Sequence, residues 1–224
     1  MTDDTPPPEP LTFQIPGDFP NGVKVVRVLG EDARKLADLG LHRSDLRFAR
    51  ESLDAINHPN ITPHIQESLW RSAIVHLYKC FQFSESRASL RADEVYAGAP
   101  AQARLNFDYF RHVRNKQMVH DQNSSTQSAV VAILNDGTKP HKVEAVRSLA
   151  ISFQMLGGPQ GQPNFESFYQ VVQRVNDWVG KEFDKLEKQI YADLEKLTYQ
   201  ELSAMPSLTS RVPLTSEVAQ RRPG

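Results

Sequence analysis

The sequence predicts a mainly helical bundle with a small β-hairpin insertion and a long C-terminal helix. Apolar residues recur every three or four positions from about residue 61 to 83 and again from about 164 to 202, the spacing that lines one helix face. Between these runs the period changes. SAVVAIL (128–134) and KVEAVRSLAISF (142–153) flank NDGTKPH, whose Asp136-Gly137 pair suits a hairpin connection, although the second run also tolerates a helical reading. With 39% apolar and 24% charged residues among 224, the composition is that of a globular chain able to bury a core.

The elements follow in order. Residues 1–22 contain six prolines, each lacking an N–H and restricting the residue before it, so they predict a disordered lead-in. The apolar stretch 23–28 is too short for periodicity to separate a strand from a helix start. EDARKLADL (31–39) and SDLRFARESLDAIN (44–57) read as two helices separated by Gly40. Ser44 is the candidate cap of the second, and Leu46, Phe48, Leu53 and Ile56 are its apolar contacts. Pro63 fits the first turn of a buried helix to about Phe83, with Ile61, Ile65, Leu69, Ala73, Leu77 and Phe81 widened by Trp70, Ile74 and Tyr78. Residues 84–99 are polar with room for a short helix, and Pro100 opens a helix that ends near His120, where DQNSST competes for backbone hydrogen bonds. Asn164 is the candidate cap of a final helix of about ten turns. One domain spanning 23–205 is expected, ahead of a flexible tail at 206–224.

Charge and cysteine usage exclude several classes. A net charge of -1 rules out a polyanion binder that works through its whole surface field, so any nucleic-acid contact must be a local patch. The single cysteine, Cys80, forms no internal disulfide and builds no zinc site alone; a reducing, cytoplasmic setting is the simplest expectation. The start MTDDTPPPEP lacks a secretory pattern, and no run approaches the roughly 20 apolar residues of a membrane helix. His58, His64, His112 and His141 lack metal-ligand spacing, and no phosphate-cradling glycine loop or nucleophile elbow is present.

The chemistry-bearing stretch is RLNFDYFRHVRNKQMVHDQN, residues 104–123. Arg114, Asn115 and His120 place a permanent cation, an amide and a neutral-range proton carrier close together. Spacing alone is weak support: among 16 arginines and 7 histidines, chance supplies such a pair, and Arg71 with His76 is one. Context favours Arg114 and His120, because an aromatic-rich helix leads in and the histidine stands where the helix stops. On an ideal helix six residues leave the two side chains about 120° apart. They meet only if the last turn is distorted or if two protomers each supply one.

These residues resemble the HEPN superfamily, whose hallmark is an arginine, a polar residue and a histidine near the end of a bundle helix; FRHVRNKQMVHD looks like the motif of abortive-infection and toxin members. The resemblance implies a HEPN-like bundle and a metal-independent endoribonuclease with no cofactor, acting in phage defence or stress response. It also implies a homodimer whose motif helices share a cleft, and an antitoxin or regulatory protein as a further partner. RNA would be cut through attack by its own 2′-hydroxyl. His120 would serve as general acid or base, Arg114 would stabilise the phosphorane charge, and Asn115 would orient either. Arg104, Arg111 and Lys116, opposed between 104 and 116 only by Asp108, would receive the RNA backbone. The alternative is a catalytically inactive helical module that binds RNA or protein. In that case Asp108 pairs with Arg111 or His112, Asp121 pairs with Arg114, and His120 sits at a helix C-terminal dipole. Tyr109 and Phe110 are expected in the core.

Overall fold

The structure is a computed structural model and describes residue 15 and residues 17–118, 126–135, 138, 140–152 and 163–208. It is mainly helical: α1 (Glu31–Ile56), α2 (Pro63–Lys79), α3 (Ala92–Val95), α4 (Ala101–Val113), a π-helical turn (Arg114–Met118), strands β1 (Thr126–Leu134) and β2 (Val143–Ser152), α5 (Phe165–Leu194) and α6 (Tyr199–Ala204). No helix among the described residues is long and apolar enough to cross a membrane.

The chain forms two compact units. One gathers the described residues of Met1–Gly40, Phe83–Ala88 and Lys181–Gly224. Its ends are stitched by the Arg27 N–H donating to the Pro206 carbonyl at 2.7 Å, beside an isolated bridge between Val26 and Ser207. Gln189 Nε2 donates to Asp32 at 3.0 Å, and the Ala88 N–H donates to Asp38, also at 3.0 Å.

The other unit comprises Leu41–Gln82 and Ser89–Gly180. It holds an aromatic core in which Trp70 meets Phe168 edge-on at 5.0 Å and Phe110 at 5.9 Å, while Phe110 and Phe168 lie 4.8 Å apart. Leu46, Leu53, Ile74, Leu77, Val172, Val175 and Val179 are fully buried as well. Fully burying one such side chain contributes about 1.5–3 kcal/mol, so this cluster fixes how α2, α4 and α5 pack.

Several sequence expectations need correction. Gly40 does not divide α1, and Ser44 is an interior helical residue, not a cap. One glycine costs a helix about 1 kcal/mol, which the buried Leu46, Ala49, Leu53 and Ile56 outweigh. Phe48 stays half exposed, its ring 4.3 Å from that of His76. α2 ends at Lys79, with Thr62 capping its start, and its buried face centres on Trp70, Ala73, Ile74, Leu77 and Tyr78 while Ile65 is exposed. The last helix is interrupted after Leu194, because the Thr198 and Glu201 side chains cap a new start at α6 in a reciprocal capping box. Asn164 does cap α5, accepting from the Ser167 N–H at 3.1 Å. Residues 23–28 make only the single bridge at Val26.

The hairpin is antiparallel, with Val130 opposite Ser148 and Ala132 opposite Val146, and it is strand on both sides, not helix on the second. Ala129, Val131, Ile133, Ala145 and Leu149 alternate onto its other face. Its apolar side chains reach solvent, Val130 at 74% and Leu134 at 70% exposure. Asp136, Gly137 and the tails at 1–14 and 209–224 lie outside the described residues.

Candidate functional site

α4 delivers the candidate site. Its Phe107, Phe110 and Val113 are buried, so this face is anchored in the aromatic core and the residues that follow Val113 are held at its exit. The Tyr78 hydroxyl donates to the Phe107 carbonyl, tying α2 to the same helix. Burial pushes the Tyr78 phenol well above its ordinary value, and burial likewise raises Tyr96.

At Arg114 the winding changes from α to π through Met118. A π turn carries the chain through less rotation per residue than an α turn, so the angle expected for a regular helix between positions 114 and 120 does not apply. The irregular winding is described from Arg114 to Met118, and position 120 lies outside the described residues. π turns of this kind frequently occur at functional sites.

Arg114 is half-buried. Its Nη1 donates to Asn115 Oδ1 and its Nη2 to Gln82 Oε1, each at 2.9 Å, while Nε is buried without a hydrogen-bond partner among the described residues. Both partners are neutral amides. The guanidinium is held in place, yet no carboxylate among the described residues cancels its charge. Gln82 lies 32 positions earlier, just past α2, and was not singled out from sequence because it belongs to no local motif.

His120 and Asp121, with the pairings expected of them, lie outside the described residues. Of the cations expected to receive RNA, Arg104 is engaged by acids: its Nη1 donates to Asp93 at 2.7 Å and its Nε to Asp108 at 2.9 Å. Asp108 thus pairs four residues back with Arg104, not forward with Arg111 or His112. Arg111 and Lys116 are exposed near the helix exit. Tyr109 packs edge-on against the buried Phe110 at 5.0 Å, consistent with a packing role.

The competing pair is occupied structurally. Arg71 Nε donates to Glu67 at 2.7 Å, and His76 Nδ1 sits 3.0 Å from Asp45 Oδ1, which also accepts from Lys79 Nζ at 3.0 Å. Cys80 is buried. Among the described residues, no group of three or more His, Cys, Asp or Glu is arranged to hold a metal ion.

Comparison with protein-family models, curated proteins and solved structures finds no match. The functional reading therefore rests on the residues themselves.

Proposed function

We propose that this protein is a metal-independent endoribonuclease of HEPN type, acting on RNA in phage defence or stress response. The observation that supports it is the state of Arg114: an arginine fixed by two amides keeps its charge available for an anion, as stabilisation of a pentavalent phosphorane requires. In this mechanism the substrate's 2′-hydroxyl attacks the adjacent phosphorus and the 5′-oxygen leaves. The 2′-hydroxyl loses its proton as it attacks and the departing 5′-oxygen gains one; His120 carries one of these two protons and water exchanges the other, while Arg114 holds the non-bridging oxygens and Asn115 and Gln82 hold Arg114. Arg111 and Lys116 provide the nearby backbone contacts, with Arg104 contributing less because two carboxylates already engage it. A homodimer supplies the facing motif helices, and an antitoxin or regulatory protein restrains the activity.

The experiment is cleavage of RNA in chelator, with fragments ending in 2′,3′-cyclic phosphate as the product. His120→Ala and Arg114→Ala are expected to abolish it. Cleavage that requires magnesium, or that survives both substitutions, rejects the mechanism.

A second reading is favoured by a separate observation: the hairpin presents apolar side chains to solvent on its strands. A catalytically inactive helical module that binds a protein partner would use such a surface. Absence of cleavage together with partner capture that is lost in Val130→Asp would favour it.

A further inference from the structure

We propose that Gln82 is a positioning residue that, with Asn115, keeps Arg114 as an uncancelled cation for one phosphodiester group of single-stranded RNA. This rests on Arg114 being the phosphate-stabilising group.

Four other arginines are held differently. Arg71 and Arg104 donate to carboxylates at 2.7 Å, and Arg47 and Arg50 lie within 4.0 Å of Glu51 and Asp54. Arg114 alone among these has an amide oxygen at each terminal nitrogen. A guanidinium carries five N–H donors. Two serve Asn115 and Gln82, which leaves the second hydrogen of each terminal nitrogen without a partner among the described residues and open to an anion, whereas the buried Nε–H is not. With both amide oxygens turned toward Arg114, the NH2 groups of Gln82 and Asn115 add uncharged donors to the same cluster.

An acid at either position would hold the arginine equally well and neutralise it. An amide fixes the geometry and leaves the charge. Gln82 is exposed, so exchanging it for the isosteric acid tests charge without removing buried packing.

The experiment measures binding of a fluorescent, 2′-O-methylated single-stranded oligonucleotide, which cannot be cleaved by 2′-hydroxyl attack, to the full chain in chelator across a salt series. The proteins are wild type, Gln82→Glu, Arg114→Ala and the double variant, with circular dichroism confirming the fold. Gln82→Glu is expected to weaken binding about tenfold, the equivalent of one charge-assisted hydrogen bond. It should also lower the slope of log affinity against log salt by about 0.7, one single-strand phosphate contact. In the Arg114→Ala background the same change should cost less than about twofold, because the two act as one unit.

Equal losses in both backgrounds would mean general repulsion and overturn the proposal, as would wild-type affinity in Gln82→Glu or no binding by wild type. Unmodified RNA separates this from the ribonuclease reading. Binding with coupling but no cleavage removes the nuclease and leaves the cradle, whereas cleavage without coupling removes the cradle and leaves the nuclease.

Discussion

Replacing Tyr78 by phenylalanine should destabilise at neutral pH and replacing Tyr96 should not, whereas at alkaline pH both replacements should offset a loss of stability. Both hydroxyls are buried, but Tyr78 donates to the Phe107 carbonyl whereas the Tyr96 oxygen has no hydrogen-bond partner among the described residues. Tyr78→Phe is therefore expected to cost about 1 kcal/mol, the net value of one hydrogen bond, and Tyr96→Phe to be neutral or stabilising by up to about 1 kcal/mol. Both phenols are raised by burial above the ordinary value near 10. The folded state then keeps a proton that the unfolded chain loses. This contribution is fully present below about pH 10 and declines above it, by about 1.4 kcal/mol per pH unit for each tyrosine. Each substitution should remove its own share of that decline. Urea unfolding between about pH 8 and 11, followed by tryptophan fluorescence, provides the measurement, since both Trp70 and Trp178 lie within the unit that contains the two tyrosines. Wild-type and Tyr78→Phe stabilities that stay parallel above pH 10 would refute the reasoning.

The remaining expectations concern packing and helix continuity. Phe168→Ala, which removes a ring packed on Trp70 and Phe110, should cost about 3–5 kcal/mol in urea unfolding; less than about 1 kcal/mol would mean that the aromatic cluster is not a close-packed core. Gly40→Ala and Gly180→Ala should each stabilise by about 0.5–1 kcal/mol in thermal or urea melts. Both sit inside helices, and an added Cβ would meet Phe183 at an ordinary 3.9 Å in the first case and open space in the second. Destabilisation at Gly40 would point back to a helix break there.

Legibility in the sequence followed the length over which a physical signal is summed. The 3.6-residue stripe from Trp70 to Tyr78 and that from Phe168 to Val179 run over about two and a half and about three turns, and both stripes are buried. The drop to period two suggested a hairpin, but only the pairing with β1 decides that the second run is strand and not helix. Helix ends were harder, since single residues decide them: Gly40 looked like a stop because its cost is local whereas the burial that offsets it is tertiary, and Thr198 was overlooked within a continuing apolar pattern. At the candidate site, Arg114 and Asn115 were legible because they are adjacent. Gln82 was not, because its contact comes from packing of α2 against the π turn and leaves no trace in spacing. The pairing of Arg104 with Asp93 was hidden for the same reason, whereas its bond to Asp108 has ordinary helical spacing.

The stitch between Arg27 and Pro206 has a temporal consequence during synthesis. Its neighbour, the contact from Lys24 to the Ser203 carbonyl, joins residues 179 positions apart. At roughly 5–20 residues per second, the early partner waits on the order of ten to forty seconds before the late one is even made. The unit that joins these early and late segments thus closes only after residue 207 is made, and a nascent chain stalled before residue 203 holds its Lys24–Arg27 segment without the clasp that completes it.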